Sequence, residues 1–323
     1  MSFSVSTKEE LARLTDLKPC CELAELAALV RMDGMLQISV RQKYVLNVGT
    51  ENASVARRIY RLAKDLLQAQ AEIVVRRKLH LRKNNSYMVK ISLRGIDDLR
   101  RIGLIDENMQ ILLGIEKHLI KHRCDQKAYL RGAFMAGGSM NSPEGAYHLE
   151  IITHHEQHAQ ALCRLLNRFM LGAKIRVRKH KYVVYLKGSD QIVDFLGIIG
   201  AHRALLEFES IRVVKGVRNQ VNRLVNCETA NLSKMVEASL RQAENIRYIE
   251  KSVGLQMLSP PIREVANLRL QYPEISMAEL GHLLSPIVGK SGINHRMRKI
   301  EELAEQLKGQ DGERCRMEGN TCD

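Results

Sequence analysis

Two short stretches place cations at every second position of an extended chain. In EIVVRRKLHLR, Arg76, Lys78, His80 and Arg82 alternate, with Leu79 and Leu81 between them. In AKIRVRKH, Lys174, Arg176, Arg178 and His180 alternate around Ile175 and Val177. Strand side chains switch faces with a period of two, so each stretch predicts a cationic row backed by an apolar row. That is the pattern of an antiparallel sheet packed on one face only. Such rows neutralise phosphates, and the chemistry they offer is salt-dependent grip on a polyanion rather than bond making. A further basic group lies near the C-terminus: Lys290, Ser291, Asn294, His295, Arg296, Arg298 and Lys299 crowd the start of GINHRMRKIEELAEQL.

Composition agrees with a polyanionic partner. The 323 residues carry 50 Lys and Arg against 36 Asp and Glu, a formal net charge of +14. Nucleic acid and an anionic surface both fit that balance. No apolar run reaches the roughly 18 residues of a membrane span, and the opening MSFSVSTKEELARL lacks the apolar stretch of a secretory signal. The cysteines Cys20, Cys21, Cys124, Cys163, Cys227, Cys315 and Cys322 are odd in number and show no CxxC pairing. By spacing they form neither a disulfide framework nor a zinc site, and a reducing cytoplasm is expected. No cofactor or metal is expected.

The elements that must position the cationic rows occur twice. LAALVRMDG (Leu26 to Gly34) and LRGAFMAGG (Leu130 to Gly138) are short helix patterns ending in glycine, a common residue just past a helix end. Each is followed by an alternating strand pattern (Tyr44-Val-Leu-Asn-Val, Tyr147-His-Leu-Glu-Ile) and an amphipathic helix (52–69, 156–171). Basic strands follow at 72–82 and 173–180, then strands at 87–93 and 182–187. The repeats close on RGIDDLRRIGLI and KGSDQIVDFLGII. The order is helix–β–β–helix–β–β–helix, twice, about 100 residues apart.

This pattern resembles the LAGLIDADG homing endonucleases. The resemblance implies that the two signature helices pack face to face on a pseudo-twofold axis. Ala27, Ala28, Gly132, Ala133 and Ala136 would then be the small residues that permit close approach. In that family the last acidic residue of each signature helix helps hold divalent metal at the scissile phosphates. Two such carboxylates are needed to neutralise both the attacking and the leaving oxygen. Here the first helix retains Asp33, while Gly137 stands at the matching position of the second. A non-catalytic protein is therefore expected, with Asp33 vestigial; Glu144 and Glu150 remain open as substitutes. The same resemblance makes the sheet faces a saddle for double-stranded DNA.

After residue 203 the patterns are helical. Helices are predicted at 215–224, 230–252 and 261–271, the last with proline at its start. SMAELGHLL begins with the capping box Ser276–Glu279. A last helix at 292–307 has Ile293, Met297, Ile300 and Leu303 on one side. Two short helices leading into a basic helix suggest a helix-turn-helix at about 275–308, whose second helix meets base edges. The polar cluster Arg218, Asn219, Asn222, Arg223, Asn226 and Asn231 precedes it.

A degenerate LAGLIDADG repeat, NRLVNCETANLSK and SMAELGHLLSPIVGKSGINHRMRKIEELA together resemble the WhiA family over residues 1–308. The expected fold is α+β: repeats at 1–105 and 106–202, a linker helix region at 203–222, and an all-α helix-turn-helix domain at 223–308. The resemblance makes that domain similar to the promoter-reading modules of sigma factors. The polar tail 309–323 is expected to be disordered. The resemblance implies a bacterial, nucleoid-associated transcription regulator tied to cell division, chromosome segregation and, in some bacteria, sporulation. Its partners would be DNA and transcription or cell-division proteins. A monomer is expected, since fused repeats already supply pseudo-dimeric symmetry. A metal-dependent endonuclease and a nucleoid adaptor working through protein contacts are the alternatives.

Overall fold

The computed structural model describes residues 2–15, 17–38, 44–77 and 85–317. It divides into two compact units, 1–216 and 217–323. The first is a twofold repeat preceded by α1 (Phe3–Ala12). The first copy runs α2 (Pro19–Asp33), β1 (Gly34–Ile38), β2 (Tyr44–Thr50), α3 (Ala53–Leu67), β3 (Gln70–Arg77), β4 (Asn85–Leu93) and α4 (Ile96–Arg101). The second runs α5 (Arg123–Gly137), β5 (Gly138–Met140), β6 (Leu149–Thr153), α6 (Glu156–Asn167), β7 (Lys174–Arg178), β8 (Lys181–Leu186) and α7 (Ser189–Ile199). Each copy forms a four-stranded antiparallel sheet, in the orders β1-β2-β4-β3 and β5-β6-β8-β7.

Helix α3 shows why the layers form. Asn52 caps it, its Oδ1 accepting from the amides of Ser54 (2.8 Å) and Val55 (3.2 Å). Val55, Ile59, Leu62 and Leu66 recur at helical spacing and are buried. The sheets thus carry helices on one face and leave the other open.

Helices α2 and α5 pack directly on one another along the repeat axis. Leu26, Ala27, Ala28, Leu130 and Ala133 are all buried, and Ala136 is half-buried. At Gly132 a Cβ would strike the Glu25 carbonyl and stand 2.9 Å from the Ala28 methyl. Across this contact the fully buried Glu25 carboxylate accepts from Arg58 Nε (2.7 Å) on α3 and Arg131 Nε (2.6 Å) on α5. The glycines stand just past the ends of the signature helices, as the sequence suggests. Gly34 and Gly138 have φ of −86° and −82° and run straight into β1 and β5. They are small because a Cβ would meet the carbonyls of Val30 and Phe134 four residues back.

Beyond shifts of a few residues at element ends, β7 and two later helices differ from the sequence reading. Strand β7 ends at Arg178, and Lys179 and His180 form a two-residue turn at φ of 48° and 60°. That geometry matches the twist of a hairpin and takes His180 off the strand. The helices expected at 215–224 and 230–252 are one, α8 (His202–Ser252). The intervening VNCETA holds neither Gly nor Pro to interrupt it, and Gly216 is accommodated. Glu10 of α1 caps its start, accepting from the amides of Arg203 (2.7 Å) and Ala204 (3.0 Å). The last helix, α11 (Lys290–Met317), starts two residues early and continues through half of the tail expected to be disordered.

The second unit packs α9 (Pro260–Gln271), α10 (Met277–His282) and α11 with the end of α8. Its core includes Ile246, Ile249, Val265, Leu280, Ile293, Met297, Ile300 and Ala304. The Ser276–Glu279 capping box is formed, with bonds of 2.7 and 3.3 Å.

Gly132→Ala should destabilise the first unit by about 1–3 kcal/mol, the usual cost of overpacking. Denaturant unfolding followed by circular dichroism should show a lowered midpoint with an unchanged slope.

Candidate nucleic-acid interface

Helix α11 displays the basic group as two faces. Ile293, Met297 and Ile300 point into the core. Ser291, Asn294, His295 and Arg298 lie at i, i+3, i+4 and i+7 on an exposed stripe, with Lys290 and Lys299 beside it. Arg296 is placed differently: it is half-buried and donates to the Pro261 carbonyl at 3.4 Å, tying α11 to the start of α9. The connection to α11 folds back tightly on α10. The Val288 amide donates to the Gly281 carbonyl at 3.0 Å, and a Cβ at Gly281 would collide with the Val288 carbonyl. Sequence reasoning passed over Arg269, whose buried guanidinium donates to the Ile275 carbonyl (2.7 Å) and the Ser239 hydroxyl (3.3 Å). It holds the α9–α10 turn in shape, and its burial among carbonyls is a tertiary fact with no local signature.

In the first unit the open face of the second sheet carries Lys174, Arg176 and Arg178, all exposed. Register adds two residues that the sequence reading missed. Lys181 pairs with Arg178, and Tyr185 pairs with both Lys174 and Glu150. The Arg176 guanidinium sits 5.6 Å from the Tyr185 ring and 3.4 Å from Glu150. Of the backing positions, Ile175 packs against the core while Val177, next to the β7–β8 turn, is 66% exposed. In the first sheet Arg76 is exposed; Lys78, His80 and Arg82 lie outside the described residues. The rest of that open face is mixed, with Gln37, Asn47, Gln70 and a Lys90–Glu72 ion pair of 3.1 Å. The cluster from Arg218 to Asn231 lies exposed along α8.

The ends of α2 and α5 meet in a cleft of about 910 Å³ lined by Lys8, Asp33, Thr50, Glu51, Tyr87 and Ala136, among others. Asp33 lines the cleft and is exposed there, with part of its hydration displaced by the surrounding chain. Loss of hydration raises its carboxyl pKa against the pull of Lys8, His154 and Lys181. Gly137 holds no room for a partner carboxylate. A Cβ there would collide with the Met32 methyl and stand 2.6 Å from the Ile152 carbonyl. Glu144 is exposed on a loop, and Glu150 is held by His148 (3.3 Å) and Arg176. Neither lines the cleft. A cation sits there instead: Lys8 Nζ donates to the Ala136 carbonyl at 3.3 Å, beside the position the second acid would take. Desolvation lowers the Lys8 pKa to about 8, against the opposing pull of Asp33 and Glu51.

Lys8 should therefore be about half deprotonated near pH 8, where an ordinary lysine is almost fully charged. Timed acylation with peptide mapping should show Lys8 reacting ahead of ordinary lysines near pH 8, an advantage that fades as pH rises to about 11 and the others deprotonate too; Asp33→Ala, which removes a charge that holds the proton on Lys8, should lower its midpoint further.

Family comparisons agree with this architecture. The WhiA N-terminal LAGLIDADG-like domain matches residues 19–105, the WhiA LAGLIDADG-like domain 126–218, and the WhiA C-terminal HTH domain 221–304. The chain is 63% identical over 310 residues to a probable cell division protein WhiA of Desulfitobacterium hafniense, covering 96% of this chain and 98% of that one. It is 49% identical over 310 residues to the protein of the same description from Bacillus subtilis, covering 95% and 98%. Among solved structures, full-length DUF199/WhiA from Thermotoga maritima aligns with a TM-score of 0.58 at 26% identity, covering 95% of this chain and 99% of that one. With all three domain matches in order and identity this high over nearly the whole length, the chain belongs to the WhiA family.

Proposed function

We propose that this chain is a DNA-binding regulator of cell division that no longer cuts DNA. The observation that carries the reading is the exposed stripe Ser291, Asn294, His295 and Arg298 at the start of α11, set on a packed helix-turn-helix core. In that motif the first turns of the second helix enter the major groove, where Asn and Arg read base edges. The cations of β7 supply phosphate contacts that add affinity without sequence information. The cell-division role rests on what the relatives are called, and transcriptional control, chromosome segregation and nucleoid association extend that reading. No helix among the described residues is long and apolar enough to cross a membrane; the helix-turn-helix, which presents a helix of major-groove dimensions, is what favours duplex DNA as the polyanion.

Anisotropy titrations of the protein against its own promoter DNA and a random duplex test this at fixed salt. The promoter should bind more tightly. Arg298→Ala should cost about 1–3 kcal/mol on the promoter and less on random DNA, whereas Lys174→Ala should weaken both alike and flatten the salt dependence. Equal affinity for the two duplexes would remove sequence reading; no binding to either would remove the proposal.

Strand cleavage has one residue in its favour, Asp33. The packing at Gly137 opposes it, because a carboxylate introduced there must displace Met32 and the Ile152 backbone. Neither the natural chain nor Gly137→Asp should nick supercoiled plasmid with Mg²⁺ or Mn²⁺, and the variant should unfold more easily. Asp33-dependent nicking by the natural chain would reverse the non-catalytic assignment.

A further inference from the structure

The opposite ends of the two signature helices bring together residues that are about 100 positions apart in the chain. Cys20 and Cys21 lie in the first turn of α2, and Cys124 and Asp125 in the first turn of α5. One donor atom from each of the four falls within 4.8 Å of the other three. The Cys21 and Cys124 thiols stand 3.7 and 3.4 Å from Asp125 Oδ1. The second carboxylate oxygen is already engaged, accepting from the His122 amide at 3.1 Å, which fixes the orientation of the group.

We propose that Cys20, Cys21, Cys124 and Asp125 form a structural site for one thiolate-preferring divalent cation, Zn²⁺, that joins the N-terminal ends of α2 and α5. Donor number and type fit. Structural zinc takes four ligands in a tetrahedron, with Zn–S near 2.3 Å, which requires sulfur atoms about 3.8 Å apart. A set already within 4.8 Å needs only small side-chain rotations to close on the ion. An iron–sulfur cluster, which is wider than a single ion, does not fit donors this close. Three thiolates and a carboxylate leave Zn²⁺ with two excess negative charges, and two helix N-termini point their partial positive charge at the same spot. Cys21 and Asp125 are buried, Cys124 is half-buried and Cys20 is exposed, so the ion has a path in from solvent.

The thiols are crowded: burial and the neighbouring Cys124 push the Cys21 thiol above its usual range. Binding then exchanges protons for metal. Zn²⁺ enters, three thiol protons leave to solvent, and Asp125 contributes an existing carboxylate. Thiolate ligands select zinc over magnesium or calcium.

The full chain, reduced and stripped of metal, should bind one equivalent of Zn²⁺, release protons, and lose three reactive thiols in a dithiobisnitrobenzoate assay. Its thermal midpoint should rise. Co²⁺ in the same site should give the intense visible bands and sulfur-to-metal charge transfer of a tetrahedral thiolate complex. Cys20→Ser changes an exposed side chain and should fold normally yet lose stoichiometric binding. Cys124→Ser should lose it too, and Cys227→Ser, on α8, should keep it. Absence of stoichiometric binding, an octahedral Co²⁺ spectrum, binding that survives in a Cys20→Ser/Cys124→Ser double variant, or a disulfide among these cysteines in place of metal would each overturn the assignment.

Discussion

The first unit depends on how closely α2 and α5 approach. Gly132 lies against the Glu25 carbonyl and the Ala28 methyl, and no larger residue fits between them. Beside that contact, Glu25 sits between Arg58 and Arg131 with no access to water. A buried carboxylate between two guanidiniums is costly to desolvate and contributes little net stability. Removing one member, however, leaves an uncompensated buried charge, so alternative sliding positions of the helices are heavily penalised. The triad therefore sets register: it ties α2 to α3 and α5 at one point, and everything at the helix ends follows from it.

At the C-terminal ends that register brings Asp33 into a cleft and Gly137 against Met32 and Ile152. Cleavage chemistry needs two carboxylates placed to within a fraction of an ångström around shared metal. Here Asp33 lines the cleft, and the matching Gly137 has no space for a second carboxylate. A phosphate-binding face is far more tolerant. It needs cations at the surface at roughly strand spacing, and Lys174, Arg176 and Arg178 keep that arrangement whether or not the cleft reacts. Lys8, whose pKa is lowered to about 8, places a titratable cation on the Ala136 carbonyl, next to the position that a second acid would take.

The second unit is small, and the exposed stripe on α11 is only as well placed as the helices beneath it. Arg269 and Arg296 both bind backbone carbonyls rather than displaying their charge. Arg296 shows how a basic residue at the right position in a motif can be spent on holding the helix rather than on reaching a base. Arg298, one half-turn further, is exposed because it falls on the opposite side of the core stripe Ile293–Met297–Ile300.

Periodicity and repetition carried much of this into the sequence. The twice-repeated helix–strand order, the alternation in β7, the Ser276–Glu279 box and the core spacing of α11 are local patterns imposed by backbone geometry. They are legible because 3.6- and 2-residue periods need no partner to define them. The pairing of Asp33 with a glycine was legible too, once the repeats were aligned. The tertiary structure alone decided the rest. It committed Arg296 to Pro261 and removed His180 to a turn. It made Gly137 too crowded for an acid, and it placed Lys181 and Tyr185 on the cationic face. It also brought Cys20 and Cys21 to Cys124 and Asp125, a grouping that spacing along the chain argued against. Each of these depends on which residues distant in sequence share a few ångströms of space, and that is set by the packing of α2 on α5 rather than by any local period.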